Sequence, residues 1–483
     1  MVERDNNSNE SPSSPKQPGN CSDEEERVDR ISGLPDYILL EILSFMPMKD
    51  AVKTGVLSKR WEFLWASVPD LDFHYSNPDF FDPNDKPEDK FLYLVDRTLF
   101  FYEGFKIRKF RVDFNEFSGW FAPYVDTWIR FMVRKKVEEL HLDLSFTEYS
   151  DLYELPPHIY NITSLKKLSL KYCNFRPHGL FSWRLLTSLS LVHIYLSDHL
   201  MQDIFSGSPS LEVLDLQECR DLTHLNITSP ILKKLMVHYD DYDSTKADSV
   251  LEISAPNLQS LAILGLWGRR CRLINLHCLV HATLDFELVT DGGYSDRELD
   301  SEELDSILRE LLEKLHHVRD LTIGTWCIQI LSTRELEILP SPPSKRKFLK
   351  LNTYLKKWDL PGIASLLRSS PDLETLVVNR DFPNRNKVLD GENYWNSLKH
   401  SFQCLLHNLK TVKIVGFIGR DGEMDLVQFL LKHAMVLEKM VIYSERLLDL
   451  KWRKRFMPEQ LLEFTQKMLS FPKASPHTII LFS

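Results

Sequence analysis

Two spacings of apolar residues divide this chain. Between Pro35 and Pro47 the apolar positions recur every three or four residues, as on one face of an amphipathic helix. Pro35 suits a first helical turn, and Pro47 stops the helix. A second apolar stripe follows, and Ser58 can cap a third helix that carries Trp61 and Trp65. The pattern therefore predicts three short helices within about 40 residues.

A helical unit of this size rarely holds enough core to be stable alone. Its Leu, Ile and Trp side chains exceed what three short helices can bury among themselves. We therefore expect a partner subunit, or the rest of the chain, to cover the surplus.

The rest of the chain is dominated by the pattern L-x-x-L-x-L, in which Val, Ile, Met or Phe can replace leucine. Between Val137 and Leu258 the copies are 21 to 28 residues apart, the period of leucine-rich repeats. Each such unit adds one short strand to a parallel sheet, so the pattern predicts an α/β solenoid with strands on its concave face and helices or loops on its convex face. The eleven copies begin at Ile107, Val137, Leu165, Leu186, Leu211, Leu232, Leu258, Val318, Leu373, Leu409 and Leu437.

Four copies carry a proline two residues before their first leucine, at Pro209, Pro230, Pro256 and Pro371. A proline there ends the preceding convex segment and prepares the chain for the next strand. The segment 304–315 has one continuous apolar helical face, so some convex segments should be helices.

Charge and cysteine content narrow the class of protein. The 69 acidic and 59 basic residues give a net charge of −10, so no global basic field favours nucleic acid or an anionic membrane as partner. The seven cysteines are scattered without a C-x-x-C pair, which indicates reduced thiols. With no secretory signal and no apolar run long enough to cross a membrane, we expect a cytoplasmic or nuclear protein.

No enzymatic constellation stands out. The chain has no phosphate-binding G-x-x-x-x-G-K-[ST], no G-x-S-x-G elbow and no H-E-x-x-H. The cluster of Cys271, His277, Cys278 and His281 lacks the ligand spacing of common structural zinc sites. We therefore expect neither metal nor cofactor, and no catalytic residues.

Two stretches resemble modules of one plant family. The stretch from Asp29 to Trp65 looks like an F-box in the form that plants place ahead of irregular leucine-rich repeats. The stretch from Leu426 to Ile442, with an end near Ser475, resembles the FBD module of that family, although His433 stands where Asn is more common. We accordingly expect a disordered acidic, Ser-rich tail over 1–28, the F-box over 29–75, irregular repeats over 100–390 and an FBD module that continues the solenoid over 391–475.

The resemblance implies a non-catalytic substrate-recognition subunit of a Skp-cullin-F-box ubiquitin ligase. In F-box families the apolar helical face packs on a Skp-type adaptor, which links the chain to cullin and RING subunits. Some apolar residues of this stretch, notably Leu43, Val56 and Leu64, could equally form the F-box's own core. Arg60 could orient the third helix or be a solvated charge. The adaptor-binding positions implied by the resemblance are Leu34, Pro35, Ile38, Leu39, Ile42, Leu43, Val52, Val56, Leu57, Trp61 and Trp65.

Outward strand positions are the predicted contacts to a target protein whose identity the sequence does not reveal. Their mixed polarity suits a protein or peptide better than a polyanion or a lipid. These positions are Ser169, Lys171, Ser190, Asp215, Gln217, Met236 and His238.

Two alternatives stay open. The chain could be a leucine-rich-repeat scaffold that acts outside a ubiquitin ligase, or a receptor assisted by a small molecule. The latter, in the manner of plant hormone receptors, would need a basic pocket for an inositol phosphate, and no recurring basic stripe is present. The short basic run from Ser344 to Lys347 is interpreted as an exposed loop in preference to a nuclear import signal.

Overall fold

A computed structural model of the chain describes residues 31, 33–75, 87–114, 117, 119–145, 152–177, 181–240, 250–267, 270–288, 301–336, 343–356, 359–380, 406–444 and 458–482. Within these residues, fifteen strands form one sheet whose neighbouring strands are all parallel. Their order in the sheet follows their order along the chain, so each repeat adds one strand beside the previous one. This topology confirms the predicted α/β solenoid of leucine-rich repeats.

The strands are numbered β1 to β20 in chain order. Those of the large sheet are β1 Asp70–Tyr75, β2 Lys109–Phe114, β3 Glu139–Leu144, β5 Lys167–Lys171, β7 Ser188–Val192, β8 Val213–Gln217, β10 Lys234–Asp240, β12 Ser260–Trp267, β14 His281–Leu288, β15 Asp320–Ile323, β16 Phe348–Thr353, β17 Thr375–Arg380, β18 Thr411–Phe417, β19 Lys439–Ser444 and β20 Ile479–Phe482. Two small sheets contain β9 His224–Asn226, β11 Val250–Ser254 and β13 Arg270–Ile274, and β4 Tyr153–Glu154 and β6 Cys173–Asn174.

Helices and turns connect the strands. The α-helices of the described residues are α1 Asp36–Ser44, α2 Met48–Lys53, α3 Pro87–Phe100, α4 Ala122–Arg134, α5 Asp198–Gly207, α6 Ser301–Lys314, α7 Thr325–Leu336, α8 Leu360–Arg368, α9 Asp421–His433 and α10 Pro458–Leu469. Short 3₁₀ helices lie at Thr54–Val56, Leu64–Ser67, Gly119–Phe121 and Pro157–Asn161.

Every one of the eleven repeat copies begins two residues before a strand of the large sheet. The other four strands of that sheet were not predicted. Strand β1 follows Val68, within the stretch assigned to the F-box, and β14 has Ala282 where the pattern asks for a larger side chain. Strand β16 is preceded by Arg346, and β20 by His477, in place of the first apolar residue.

One face of the sheet carries the core. In β3, for example, Leu140, Leu142 and Leu144 are fully buried, while the alternate side chains are half-buried. This alternation recurs along the sheet because side chains of a strand point to its two faces in turn. The second face, which we call the open face, is therefore available for contacts.

The F-box segment differs in one respect from the prediction. Helices α1 and α2 form as expected, but the third segment consists of turns and the 3₁₀ helix Leu64–Ser67 instead of an α-helix. Trp61 and Trp65 are buried in the same continuous core as the β1 residues Leu71 and Phe73. Packing of the two indoles on the solenoid outweighs the weak preference of this short stretch for a regular helix.

Several predictions fall on residues that the structure does not describe. The predicted tail at 1–28 lies outside the described residues, and so do residues 381–405, around the predicted boundary between the repeats and the FBD module. The division into four domains therefore stays a prediction.

Candidate functional site

The helical module presents one candidate surface. The eleven positions predicted to bind the adaptor fall into three groups by exposure. Buried are Leu39, Leu43, Trp61 and Trp65; half-buried are Leu34, Ile38 and Val52; exposed are Pro35, Ile42, Val56 and Leu57.

The four buried residues belong to the chain's own core, which corrects the expectation that they form contact surface. Trp65 donates from Nε1 to the carbonyl oxygen of Glu62 at 2.9 Å, and its ring meets Phe101 edge to face at 6.5 Å. Leu39 and Leu43 are at most 1% exposed. Helical spacing identifies an apolar stripe, but it does not show which part of the stripe the rest of the chain covers. For Leu43 the core interpretation is correct, whereas Val56 is 88% exposed.

Four further apolar side chains of this module are exposed and were missed. Phe45 is 87% exposed and lies at the end of α1, where its position outside the helical stripe gave no signal. Exposed apolar side chains in this number on a small module mark an interaction surface. We call the following set the F-box apolar surface: Ile31, Tyr37, Ile42, Phe45, Val56, Leu57 and Phe63.

Arg60 has an orienting role in this module. Its Nε donates to Asp36 Oδ1 at 2.9 Å, and its Nη2 donates to the carbonyl oxygen of Leu34. The arginine therefore joins the turns after α2 to the beginning of α1. Because these groups are solvent-exposed, the ion pair fixes geometry more than it adds stability.

Arg108 joins the helical module to the solenoid. Its guanidinium contacts both carboxylate oxygens of Asp70 in β1 at 2.7 and 2.9 Å, and both of Glu41 in α1 at 3.0 and 3.1 Å. Hydrogen bonds to Asp70 and then Glu41 raise the pKa of Arg108 above its usual range. The bidentate geometry restricts the orientation of α1 relative to the sheet.

The open face is the second candidate surface. The seven predicted target positions lie on β5, β7, β8 and β10, which are neighbours in the sheet, and all seven side chains are half-buried. Strand pairing aligns them in two rows. The first row is Ser169, Ser190, Asp215 and Met236; the second is Lys171, Val192, Gln217 and His238, in which Val192 was not predicted.

Charged side chains of the open face between β1 and β5 are paired with one another. For example, Lys167 Nζ lies 2.8 Å from Glu139 Oε1, and Lys171 Nζ lies 2.7 Å from Asp143 Oδ2. In this region burial, and then the nearby Lys109, lower the pKa of His141. His141 therefore favours the neutral form, in keeping with a lining residue of the sheet.

Farther along the sheet, Asp215 has a different environment. Its Oδ2 accepts hydrogen bonds from Ser190 Oγ at 3.1 Å and from Gln217 Nε2 at 2.9 Å. Its Oδ1 is shielded from solvent and accepts no hydrogen bond from the described residues. Met236 pairs with Asp215 on the next strand, and Ala262 follows on the strand after that.

Two residues at the strand ends were missed as contributors to this surface. Tyr172 and His193 follow β5 and β7 directly, have positive φ angles of 55° and 52°, and stack with ring centroids 4.2 Å apart. Positive φ is uncommon for side chains of this size and carries a strain cost. Hydrophobic periodicity does not reveal such a conformation, so the stack could not be predicted from the sequence.

A polar ladder lies on the open face between β14 and β17. Asn352 donates from Nδ2 to Asp285 Oδ2 at 2.7 Å, and Asn379 Nδ2 lies 3.5 Å from Asn352 Oδ1. Gly324, after the short strand β15, leaves space for this approach, since a Cβ there would lie 1.9 Å from Asp285 Oδ1. The ladder holds these polar side chains in fixed positions.

The basic run at 344–347 corrects another expectation. Ser344 and Arg346 are buried, at 5% and 1% exposure, while Lys345 and Lys347 are exposed. The run is a loop that leads directly into β16, and only two of its four side chains are exposed. The backbone N–H groups of Lys345 and Lys347 donate to the carbonyl oxygens of His316 and Arg319, which aligns the run with the preceding repeat and turns every second side chain toward the core.

No group of three or more His, Cys, Asp or Glu side chains is placed to hold a metal ion in the described part of the chain. Nor does any helix there have the length and apolar character to span a membrane.

A short helical docking module joined to a leucine-rich-repeat solenoid defines a class of recognition proteins, and comparison with known proteins identifies the family. Residues 31–72 match the F-box domain, and residues 101–456 match the leucine-rich-repeat domain described as At1g61320/AtMIF1. The chain therefore belongs to the F-box/LRR-repeat family.

Relatives of the chain occur in Arabidopsis thaliana. The F-box protein At1g49610 is 35% identical over 73% of this chain and 85% of its own length. The F-box/LRR-repeat protein At3g03360 is 31% identical over 73% and 71%, and the F-box/FBD/LRR-repeat protein At2g26030 is 29% identical over 86% and 92%. The last name includes an FBD module, which for this chain stays a prediction.

Proposed function

We propose that this protein is a non-catalytic substrate-recognition subunit of a Skp-cullin-F-box ubiquitin ligase. The observation that carries the proposal is the F-box apolar surface, on which Phe45 and Val56 are 87% and 88% exposed although most large apolar side chains of the described residues are buried. A Skp-type adaptor would cover this surface and connect the chain to cullin and RING subunits. The open face of the solenoid would hold the target protein.

The adaptor contact uses the exposed residues in preference to the buried ones. Pro35, Ile42, Val56 and Leu57 stay candidates from the resemblance, and Phe45 joins them from the structure. An interface of about 1,500 Å² built around such aromatic and aliphatic anchors is the standard size for a specific complex. The buried indoles would support this surface from below.

The chain itself needs no reacting group in this role. An adaptor holds the target near the ubiquitin-charged enzyme, which raises its effective concentration and orients its lysines. We further propose that the protein acts in the cytosol or nucleus, which its free, buried Cys173, Cys219 and Cys327 support.

Co-expression with a plant Skp-type adaptor tests the proposal. We expect the wild type to be captured and the double variant Val56→Asp/Leu57→Asp to lose capture by at least tenfold. The matched control is Ile231→Asp, which places the same charge on an apolar side chain of the solenoid that is 40% exposed. Circular dichroism verifies folding of each variant. Failure of the folded wild type to bind the adaptor would reject the ligase role and favour a scaffold that acts outside a ligase.

A further inference from the structure

Among the described residues of the open face, Asp215 is a carboxylate whose hydrogen bonding is incomplete. Asp215 lies in the middle of β8, and its two hydrogen-bond donors, Ser190 and Gln217, are both neutral and both reach Oδ2. A carboxylate has about four acceptor positions. Oδ1 accepts nothing from the described residues and is shielded from solvent, so Asp215 has acceptor capacity that a further donor reaches by displacing the side chains that cover Oδ1.

The charge of Asp215 is also unbalanced. Acidic residues of the open face nearer the F-box, such as Glu139 and Asp143, lie within 2.8 Å of a lysine. Among the described residues, by contrast, no cation forms an ion pair with Asp215. The two neutral donors fix the direction of the carboxylate but leave its negative charge to be matched from outside.

An apolar strip lies beside this carboxylate. Met236 is its neighbour on β10, and Ala262 and Leu264 follow on β12. Lysine and arginine carry an aliphatic stem that packs on apolar surface while the charged head reaches a polar partner. Met236 is unbranched and adapts its shape to such a stem.

An aromatic pair borders the same region. The stacked rings of Tyr172 and His193 lie at the ends of β5 and β7, one row beyond Val192 and Gln217. A cation near an aromatic face gains electrostatic attraction from the ring. The carboxylate and the aromatic pair thus suit the charged head of a lysine or arginine, and the apolar strip suits its stem.

We propose that Asp215 anchors the target site and receives a lysine or arginine side chain of the target protein. This inference rests on the proposed role of the open face in target recognition. The basic side chain would lay its stem on Met236 and Ala262 and direct its N–H donors to Asp215.

Peptide display tests the proposal. A library of random 12-residue peptides is panned on the full chain, both alone and in complex with the adaptor. We expect peptides enriched on the wild type to share a lysine or arginine at one fixed position. Their binding should fall at least tenfold with Asp215→Asn and change less than twofold with the control Asp143→Asn, which alters an acid already paired with Lys171. Asp215→Lys should instead select an acidic residue at that position.

Three results would overturn the inference. These are no enrichment on the wild type, an enriched motif without a basic residue, and a basic motif that Asp215→Asn binds as well as the wild type does. Adaptor capture is measured on the same preparations. Asp215-dependent peptide binding without adaptor capture would reject the ligase role alone, whereas adaptor capture without such binding would reject only this inference.

Discussion

Arg346 occupies a core position that most other repeats fill with an aliphatic side chain. Phe348 pairs with Asp320, so Arg346 corresponds to Val318 of the preceding repeat, and the two are 1% and 0% exposed. The guanidinium Nη1 lies 3.4 Å from Ser370 Oγ, while Nε donates no hydrogen bond to the described residues. Burial lowers the pKa of Arg346 from 12.5 to about 10.

We expect Arg346→Leu to raise the free energy of unfolding by about 2 kcal/mol. The lowered pKa corresponds to a cost of about 3 kcal/mol for keeping the cation buried, at about 1.4 kcal/mol per pH unit. Because the pKa is lower in the folded state, this cost is present at every pH below about 10 and is relieved only as the pH rises toward 12.5. Leucine takes the place of the arginine stem, which is already buried, and the space left by the guanidinium offsets about 1 kcal/mol of the gain.

Urea unfolding, followed by tryptophan fluorescence and circular dichroism, measures the change. Arg346→Met serves as a second variant, since its longer side chain leaves less empty space. The matched control is Val318→Arg, which introduces a buried cation at the corresponding position and should lower the free energy of unfolding by about 3 kcal/mol or more. Ser370 keeps its hydrogen bond to the carbonyl oxygen of Leu366, 2.7 Å away, in each variant of Arg346.

A loss of more than about 1 kcal/mol of stability in both Arg346→Leu and Arg346→Met, well outside the range of neutral substitutions, would contradict this prediction. That outcome would mean that the interactions of the guanidinium outweigh its desolvation. A neutral Val318→Arg would refute the premise that this core position excludes charge.

Three further predictions concern packing, pH and the joint between the modules. Gly362→Ala should destabilise the protein by about 2 kcal/mol in urea unfolding, because a Cβ would lie 2.1 Å from the carbonyl oxygen of Ile328, whereas Gly119→Ala, with open space around it, should be neutral. Because the pKa of His141 is lower in the folded state than its usual 6.5, the protein is more stable above pH 6.5 and loses this stability as the pH falls through the folded-state pKa. His141→Gln should therefore reduce the drop in Tm between about pH 7 and pH 5. An unchanged drop would contradict this prediction. Arg108→Gln should speed amide hydrogen exchange in α1 while costing under about 1 kcal/mol, since Arg108 is 43% exposed; equal exchange rates would show that the joint does not depend on it.

The repeat pattern predicted strands well because its last two apolar residues stand at alternate positions, as the buried side chains of a strand do. All eleven predicted copies precede strands, yet β16 was missed because Arg346 breaks the pattern at a buried position. A single polar residue in the core is compatible with the fold when neighbouring hydroxyls lie close to it, and only the tertiary structure shows that Ser344 and Ser370 are there.

Exposure in the F-box was less predictable than its helices. Leu39 and Val56 look alike as apolar residues of one short stripe, but Leu39 is buried and Val56 is 88% exposed. The difference arises from tertiary packing, because α1 packs on the 3₁₀ helix Leu64–Ser67 and α2 packs on that helix and on β1, and the apolar stripe does not show which side these contacts cover. On the open face, the positions of Asp215 and Gln217 followed from strand alternation, whereas the stack of Tyr172 on His193 depends on a backbone conformation that no apolar pattern encodes.

Because the F-box and the solenoid share one core, the distance from the F-box to any strand of the sheet is set by the number of strands between them. Strand β1 packs beside α2, and β8 is the sixth strand of the sheet, so five strand spacings of about 4.8 Å separate Asp215 from the first strand by about 24 Å. In the proposed ligase role, each added or deleted repeat would shift a bound target by about 5 Å relative to the adaptor. The number of repeats ahead of the proposed binding position would then select which lysines of the target come within reach of ubiquitin transfer.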